Sequence, residues 1–372
     1  MKKRIPMIAL VASLLMACSS GSNQQETLSA GVLPYDSLSI PIDYPCLGFY
    51  YQMAHYKEGN TLYWAGYNHL LHSIEVFDLT NCQTVASYEL ESDGPDAIIK
   101  NQFDNFLMND SVFVFRGYRD ELKLLSRKDG KLSKTIFPLS AEEAYQLHFR
   151  GMLNGEYSGG FGMLWDGECV VMTFFAKNGQ KMDDPLLLSV NIKTSGSEKL
   201  SLAYPESMKD DLGKYGSLTC PSFTLGHDRV VYNFAHASQV YVAMRETGEV
   251  RTFAMNSNAT PNRSDSKDTD IKQRDFRGNF EYEENALRFG VVNYDKSSDA
   301  YIRIHYAKRE EVGGRREAYL VVYKCRAGEM LEYELPEEIS ARYFVADGHA
   351  YFLLKNNDDI CLHFAVVNLK EL

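Results

Sequence analysis

One phrase recurs along the 372-residue chain. A few apolar residues lead into a polar or glycine-containing turn, and a burst of alternating aromatic and β-branched residues follows. Glu58-Gly59-Asn60 precedes Thr61 to Trp64, Met108-Asn109-Asp110 precedes Ser111 to Phe115, and Trp165-Asp166-Gly167 precedes Glu168 to Met172. Gly226-His227-Asp228, Tyr294-Asp295-Lys296 and Ala346-Asp347-Gly348 introduce three further runs. Each is a hairpin signal, with turn residues between two runs of period two. Six hairpins in one chain predict a radial all-β repeat.

Around each hairpin the pattern extends to four strands. The first unit reads Tyr51–His55, Leu62–Tyr67, Ser73–Asp78 and Thr84–Leu90. The last has only three strands: Arg342–Val345, Tyr351–Leu354 and Cys361–Asn368. Third and fourth strands meet at Asp129-Gly130, Ser195-Gly196, Thr247-Gly248 and Ala327-Gly328, where glycine supplies a positive φ. Ser37 to Asp43 has the look of the missing fourth strand of the sixth unit. Pairing first with last closes a ring and removes open sheet edges. The expected fold is therefore an all-β, six-bladed β-propeller of four-stranded blades, closed by an N-terminal strand on the last blade.

Spare length gathers in the links between units, at 91–104, 140–160, 205–221 and 256–286. In a propeller these links leave from the same face as the turns between second and third strands. That loop-bearing face is where function is expected. Ser140-Ala-Glu-Glu143 is a capping-box pattern, and Pro205 suits the start of a short helix over Glu206–Leu212. Residues 256–286 are polar and charge-mixed, which predicts a mobile insertion.

The first residues form a processing signal. Lys2-Lys3-Arg4 is a basic stretch, Ile8 to Met16 is an apolar core too short for a permanent span, and Leu15-Met16-Ala17-Cys18 ends it. That ending resembles the lipobox of bacterial lipoproteins, which implies acylation of Cys18. Residues 1–17 then form the signal peptide, 18–30 a Ser-, Gly-, Asn- and Gln-rich tether, and 31–372 one propeller domain. Removing 1–17 takes three basic and no acidic side chains, so the net charge moves from −11 to −14. Such an acidic chain without a basic stripe excludes nucleic acid as a partner. The membrane is reached through lipid, in the cell envelope. Ser19 after the cysteine, where Asp is absent, resembles outer-membrane sorting and a periplasm-facing body.

A lipobox, a tether and six four-stranded units look like the uncharacterised TolB-like six-bladed propeller lipoproteins of the Bacteroidetes type. Gly94-Pro95-Asp96-Ala97-Ile98, followed by Phe106 to Val114, is similar to the link and strand pair seen there. The resemblance implies a fold and an envelope location, and it carries over no catalytic residue.

Motifs for chemistry are missing: there is no His-Glu-x-x-His, phosphate-binding loop or Gly-x-Ser-x-Gly elbow. Asp265, Asp268 and Asp270 lack the Gly and terminal Glu of a calcium loop. No catalytic residue, metal site or cofactor is expected. Cys46, Cys82, Cys169, Cys220, Cys325 and Cys361 are scattered, as suits free or structural thiols, with Cys46 paired to Cys82 or Cys220 as the alternative. One charge pattern stands out. Each second strand runs into a basic residue: His69, Arg116, Lys177, His236, Lys308 and Lys355. Leaning inward, these would ring the tunnel mouth and attract an anionic small molecule or glycan. The leading expectation is a binding or interaction module, with an envelope protein as another conceivable partner. The alternative is a hydrolase or lyase acting on an anionic polysaccharide.

Overall fold

The computed structural model describes residues 27–42, 46–94, 96–100, 103–117, 121–140, 147–148, 162–173, 175–176, 181–268, 276–311, 313–355 and 360–372. It is a six-bladed propeller. Blade 1 is Met53–Glu58, Thr61–Asn68, Ser73–Asp78 and Gln83–Glu89, paired in that order from the centre outward. Blades 2, 3 and 4 repeat it from Phe103 to Ile136, Met163 to Lys199 and Pro221 to Ala254, and blade 5 runs from Arg288 to Glu334, with Ala300–Tyr306, Ala318–Lys324 and Glu329–Glu334 as its second to fourth strands. In blade 6, Ile339–Ala346, His349–Leu354 and Cys361–Asn368 are completed by Asp36–Pro41. Asp36 lies opposite Val366 and Pro41 opposite Cys361, so an N-terminal strand closes the ring as its sequence implied.

Burial on both faces of every blade explains the strand composition. Six apolar clusters among the described residues fill the six gaps between neighbouring blades. The gaps widen outward and need large side chains. Between blades 6 and 1, Trp64 packs edge-on against Phe364 at 5.4 Å and against Tyr50 at 5.3 Å.

The turns between third and fourth strands are one design used in five blades. In blades 2 to 5 an amide closes back on a carbonyl four residues earlier at 2.9 Å: Gly130 on Ser126, Ser195 on Asn191, Gly248 on Met244 and Gly328 on Lys324. Cys82 holds the same place in blade 1, four residues after Asp78. All five have positive φ, between 53° at Cys82 and 70° at Gly130. In the Ser195-Gly196 turn it is the serine that takes the left-handed conformation.

Several expectations are corrected. Residues 27–30, assigned to the tether, belong to a strand, Thr27–Val32, which runs parallel to the fourth strand of blade 5 and extends that sheet. Backbone pairing to Met330, Leu331 and Glu332 overrides a polar composition there. The first strand of blade 5 is broken into Arg288–Phe289 and Asn293–Asp295. Asn233 of blade 4 bridges the break, donating to the Gly290 carbonyl at 3.0 Å and accepting from the Val292 amide at 3.2 Å. The link after Pro205 forms a 3₁₀ turn, Glu206–Met208, in place of a longer helix. The 256–286 insertion holds a helix, Phe276–Asn285, and a loop tied down by the buried Glu332 carboxylate, which accepts from Ser257 and from the Asn258 amide at 2.9 Å. The capping box at 140–143 falls largely outside the described residues, as do the signal peptide, Cys18 and the rest of the tether. None of the six cysteines from Cys46 to Cys361 is joined in a disulfide.

Candidate functional site

The six basic positions have different fates. Arg116 and His236 are 2% and 1% exposed, so they serve the interior and not a solvent-facing ring. His236 Nε2 meets Asp211 at 3.0 Å, and its ring lies 4.5 Å from that of Tyr215. Asp211 also takes Arg263, so these groups knit the link before blade 4 to the insertion after it. Burial lowers the His236 pKa, and the Asp211 hydrogen bond opposes that shift. Lys308 is exposed and paired with Asp265 at 2.7 Å. Lys177 lies outside the described residues. His69 and Lys355 remain on the loop-bearing face.

Lys355 borders a depression there. A cavity of about 620 Å³ opens between the loops of blades 5, 6 and 1. Its walls come from the second-to-third loop of blade 5, the link Leu335–Glu337, the start of the first strand of blade 6 and the approach to blade 1. Five cations line it: Arg309, Arg315, Arg316, Arg342 and Lys355. Four carboxylates, Glu284, Glu317, Glu334 and Glu337, share the walls, leaving the lining positive in an acidic chain. The volume falls in the range of small-ligand sites.

Each cation has a defined anchor. Arg309 pairs with Glu284 at 3.1 Å, both largely buried, and Arg316 donates to the Glu284 and Ala286 carbonyls at the C-terminal end of the helix. Arg342 donates to the Tyr51 carbonyl and lies 4.8 Å over the Tyr51 ring. Lys355 Nζ donates to the Glu337 carbonyl at 2.9 Å, an acceptor without charge. Arg315 reaches Glu337 at 3.5 Å with both groups exposed, a geometry worth little in water. Arg315 and Lys355 therefore project from the rim with their charge available. His69 is one ring contact further out, 6.4 Å from Tyr51.

The approach to blade 1 is held from below. Tyr50 is fully buried and donates to Glu75, and the Leu47 amide donates to the Tyr50 hydroxyl at 3.0 Å. Burial, helped by the Glu75 charge, raises the Tyr50 pKa far above its ordinary value. Glu75 also accepts from Asn68 at 2.6 Å. Only glycine fits beneath this tyrosine: a Cβ at Gly66 would stand 2.3 Å from its ring.

Two other ionisable features escaped sequence reading. Arg303 and His305, on the second strand of blade 5, are fully buried. Arg303 donates to the Ser238 and Met255 carbonyls at 2.9 and 2.8 Å, and burial lowers its pKa to about 9. His55 stacks on Phe344 at 4.4 Å between the inner strands of blades 1 and 6, and burial lowers its pKa to about 4. Both arginine and histidine sit in period-two runs that read as ordinary strand, so no local signal marked them. Among the described residues no cluster of His, Cys, Asp or Glu is placed to hold a metal ion.

Fold and face together define a six-bladed propeller with a positively lined cavity among its loops. A family profile described as "Domain of unknown function (DUF4221)" matches residues 33–324, and the chain belongs to that family. No curated protein matches it. A crystal structure of a DUF4221 member from Bacteroides vulgatus is similar with a TM-score of 0.71 at 15% identity, covering 90% of this chain and 98% of that one. A Bacteroides fragilis protein named as exported is similar with a TM-score of 0.54 at 10% identity, covering 91% of this chain and 99% of that one. Both likenesses speak to the fold. No helix among the described residues is long and apolar enough to cross a membrane.

Proposed function

We propose that this protein is a lipid-tethered binding module of the cell envelope, anchored at Cys18 to the outer membrane and facing the periplasm. Its loop-face cavity takes a ligand bearing carboxylate or another anionic group. The observation that carries this reading is the cavity lining, where Arg315 and Lys355 present charge at the rim of a ligand-sized space in an acidic molecule. Of the original ring, Lys355 and the neighbouring His69 enter the proposal. Low-dielectric walls make such charges attract anions more strongly than isolated surface lysines do.

A thermal-shift panel of citrate, glucuronate, oligogalacturonate and inorganic phosphate tests it. At least one anion should raise the melting temperature of the wild type, and Arg315→Glu with Lys355→Glu should abolish that rise. No shift for any anion, or the same shift in the variant, refutes the cavity reading. For the anchor, Cys18→Ser should move the protein from the membrane fraction to the soluble one. Unchanged fractionation would refute lipidation at that residue.

A further inference from the structure

Beside the cavity the chain displays aliphatic side chains on a braced turn. Leu70 and Leu71 lie between the second and third strands of blade 1 and are 66% and 47% exposed. Their amides both donate to the Asn68 side-chain oxygen, at 3.0 and 3.1 Å. Asn68 is itself buried and fixed by Glu75. The two leucines are thus held outward by a rigid support. Neighbouring exposed apolar residues held in one place can form part of a contact surface when they adjoin a binding cavity.

The surface is continuous with the cavity. Tyr51, 59% exposed, lines the cavity under Arg342 and touches His69, the residue before Leu70. On the far side the carbonyl of the next residue, His72, accepts from the Leu90 amide at 2.9 Å, and the link that follows Leu90 carries the exposed Ile99. A positive cavity therefore passes through one tyrosine into an aliphatic ridge. Branched aliphatic groups offer no flat face to a sugar ring. They suit the side chains of a polypeptide, and the adjoining cations suit its carboxylates.

We infer that the cavity and the ridge form one docking surface for a segment of a partner protein that carries acidic residues followed by aliphatic ones. This rests on the anionic reading of the cavity and adds the ridge to it. The partner's carboxylates approach Arg315 and Lys355, and its aliphatic side chains cover Leu70, Leu71 and Ile99.

Two labelled peptides of equal charge serve as probes, Glu-Glu-Glu-Leu-Leu-Leu and Glu-Glu-Glu-Ser-Ser-Ser, read by fluorescence anisotropy on the full chain. The leucine peptide should bind about ten-fold or more tightly than the serine peptide, the scale of burying exposed aliphatic side chains. Leu70→Ser with Leu71→Ser should erase that difference and leave the serine peptide's affinity unchanged. Both positions are exposed, so folding should persist. Arg315→Glu with Lys355→Glu should weaken both peptides. Equal affinity of the two peptides for the wild type overturns the ridge while the cavity reading stands. Binding of the leucine peptide that ignores the charge reversals overturns the joint surface. Oligogalacturonate binding more tightly than either peptide, with no response to the leucine variants, assigns the face to a glycan. Leucine-dependent binding to zwitterionic vesicles assigns it to a bilayer. Either result overturns the inference.

Discussion

His55 shows what a ring of blades does to a single residue. Its imidazole keeps some accessible surface, yet protein surrounds it where the inner strands of blades 1 and 6 converge. Burial lowers its pKa from the ordinary 6.5 to about 4, so the folded protein holds it neutral. The unfolded chain takes up a proton below about pH 6.5 that the folded one refuses until about pH 4. Stability should therefore fall as the pH drops through this window, by about 3 kcal/mol at most. His55→Gln should flatten the profile there, measured as melting temperature against pH. A parallel profile for the variant would place the acid sensitivity elsewhere, with His305 the next buried imidazole to examine. None of this was legible in the sequence, where His55 is one polar residue in an alternating strand. The basic ring failed to emerge as drawn for a related reason. A position at the end of a strand is visible in the chain, but whether its side chain meets solvent depends on what packs over it. Arg116 and His236 are covered, His236 by its contact with Asp211.

At the scale of elements, much more was readable. The hairpin signals are local: Asp347 and Gly348 both have positive φ, as a two-residue turn between twisted strands requires. The turns between third and fourth strands were also visible, with one displacement. Sequence logic gave the left-handed place to Gly196, whereas the repeated closure at four residues gives it to Ser195. A side chain in that conformation costs free energy that glycine avoids. Ser195→Gly should accordingly stabilise the protein by about 0.5–1 kcal/mol, allowing for the greater freedom of glycine in the unfolded chain. Chemical denaturation would read this as a raised midpoint with unchanged slope. A lowered midpoint would mean that the serine is not strained. The strand Thr27–Val32 was hidden because its pairing partner lies some three hundred residues away, and composition cannot report a distant sheet edge.

The molecule as a whole separates a short-turn face from a loop-bearing one, and that division was legible from the repeat alone. The cavity was not. It is assembled from Tyr51 near the start of the chain, Arg309 to Arg316 in a loop of blade 5, and Arg342 and Lys355 in blade 6, residues with no common spacing. Ring closure by Asp36–Pro41 is what brings the first of these beside the last. The central claim is that this cavity binds anions through charge at its rim. Calorimetric titration of citrate into the wild type and into the Arg315→Glu, Lys355→Glu variant, each at low and at physiological salt, tests it most directly. Binding should weaken as salt rises and vanish in the variant, because exposed charges are screened over roughly 8–10 Å near physiological ionic strength. Affinity that is insensitive to salt and retained in the variant would contradict the claim.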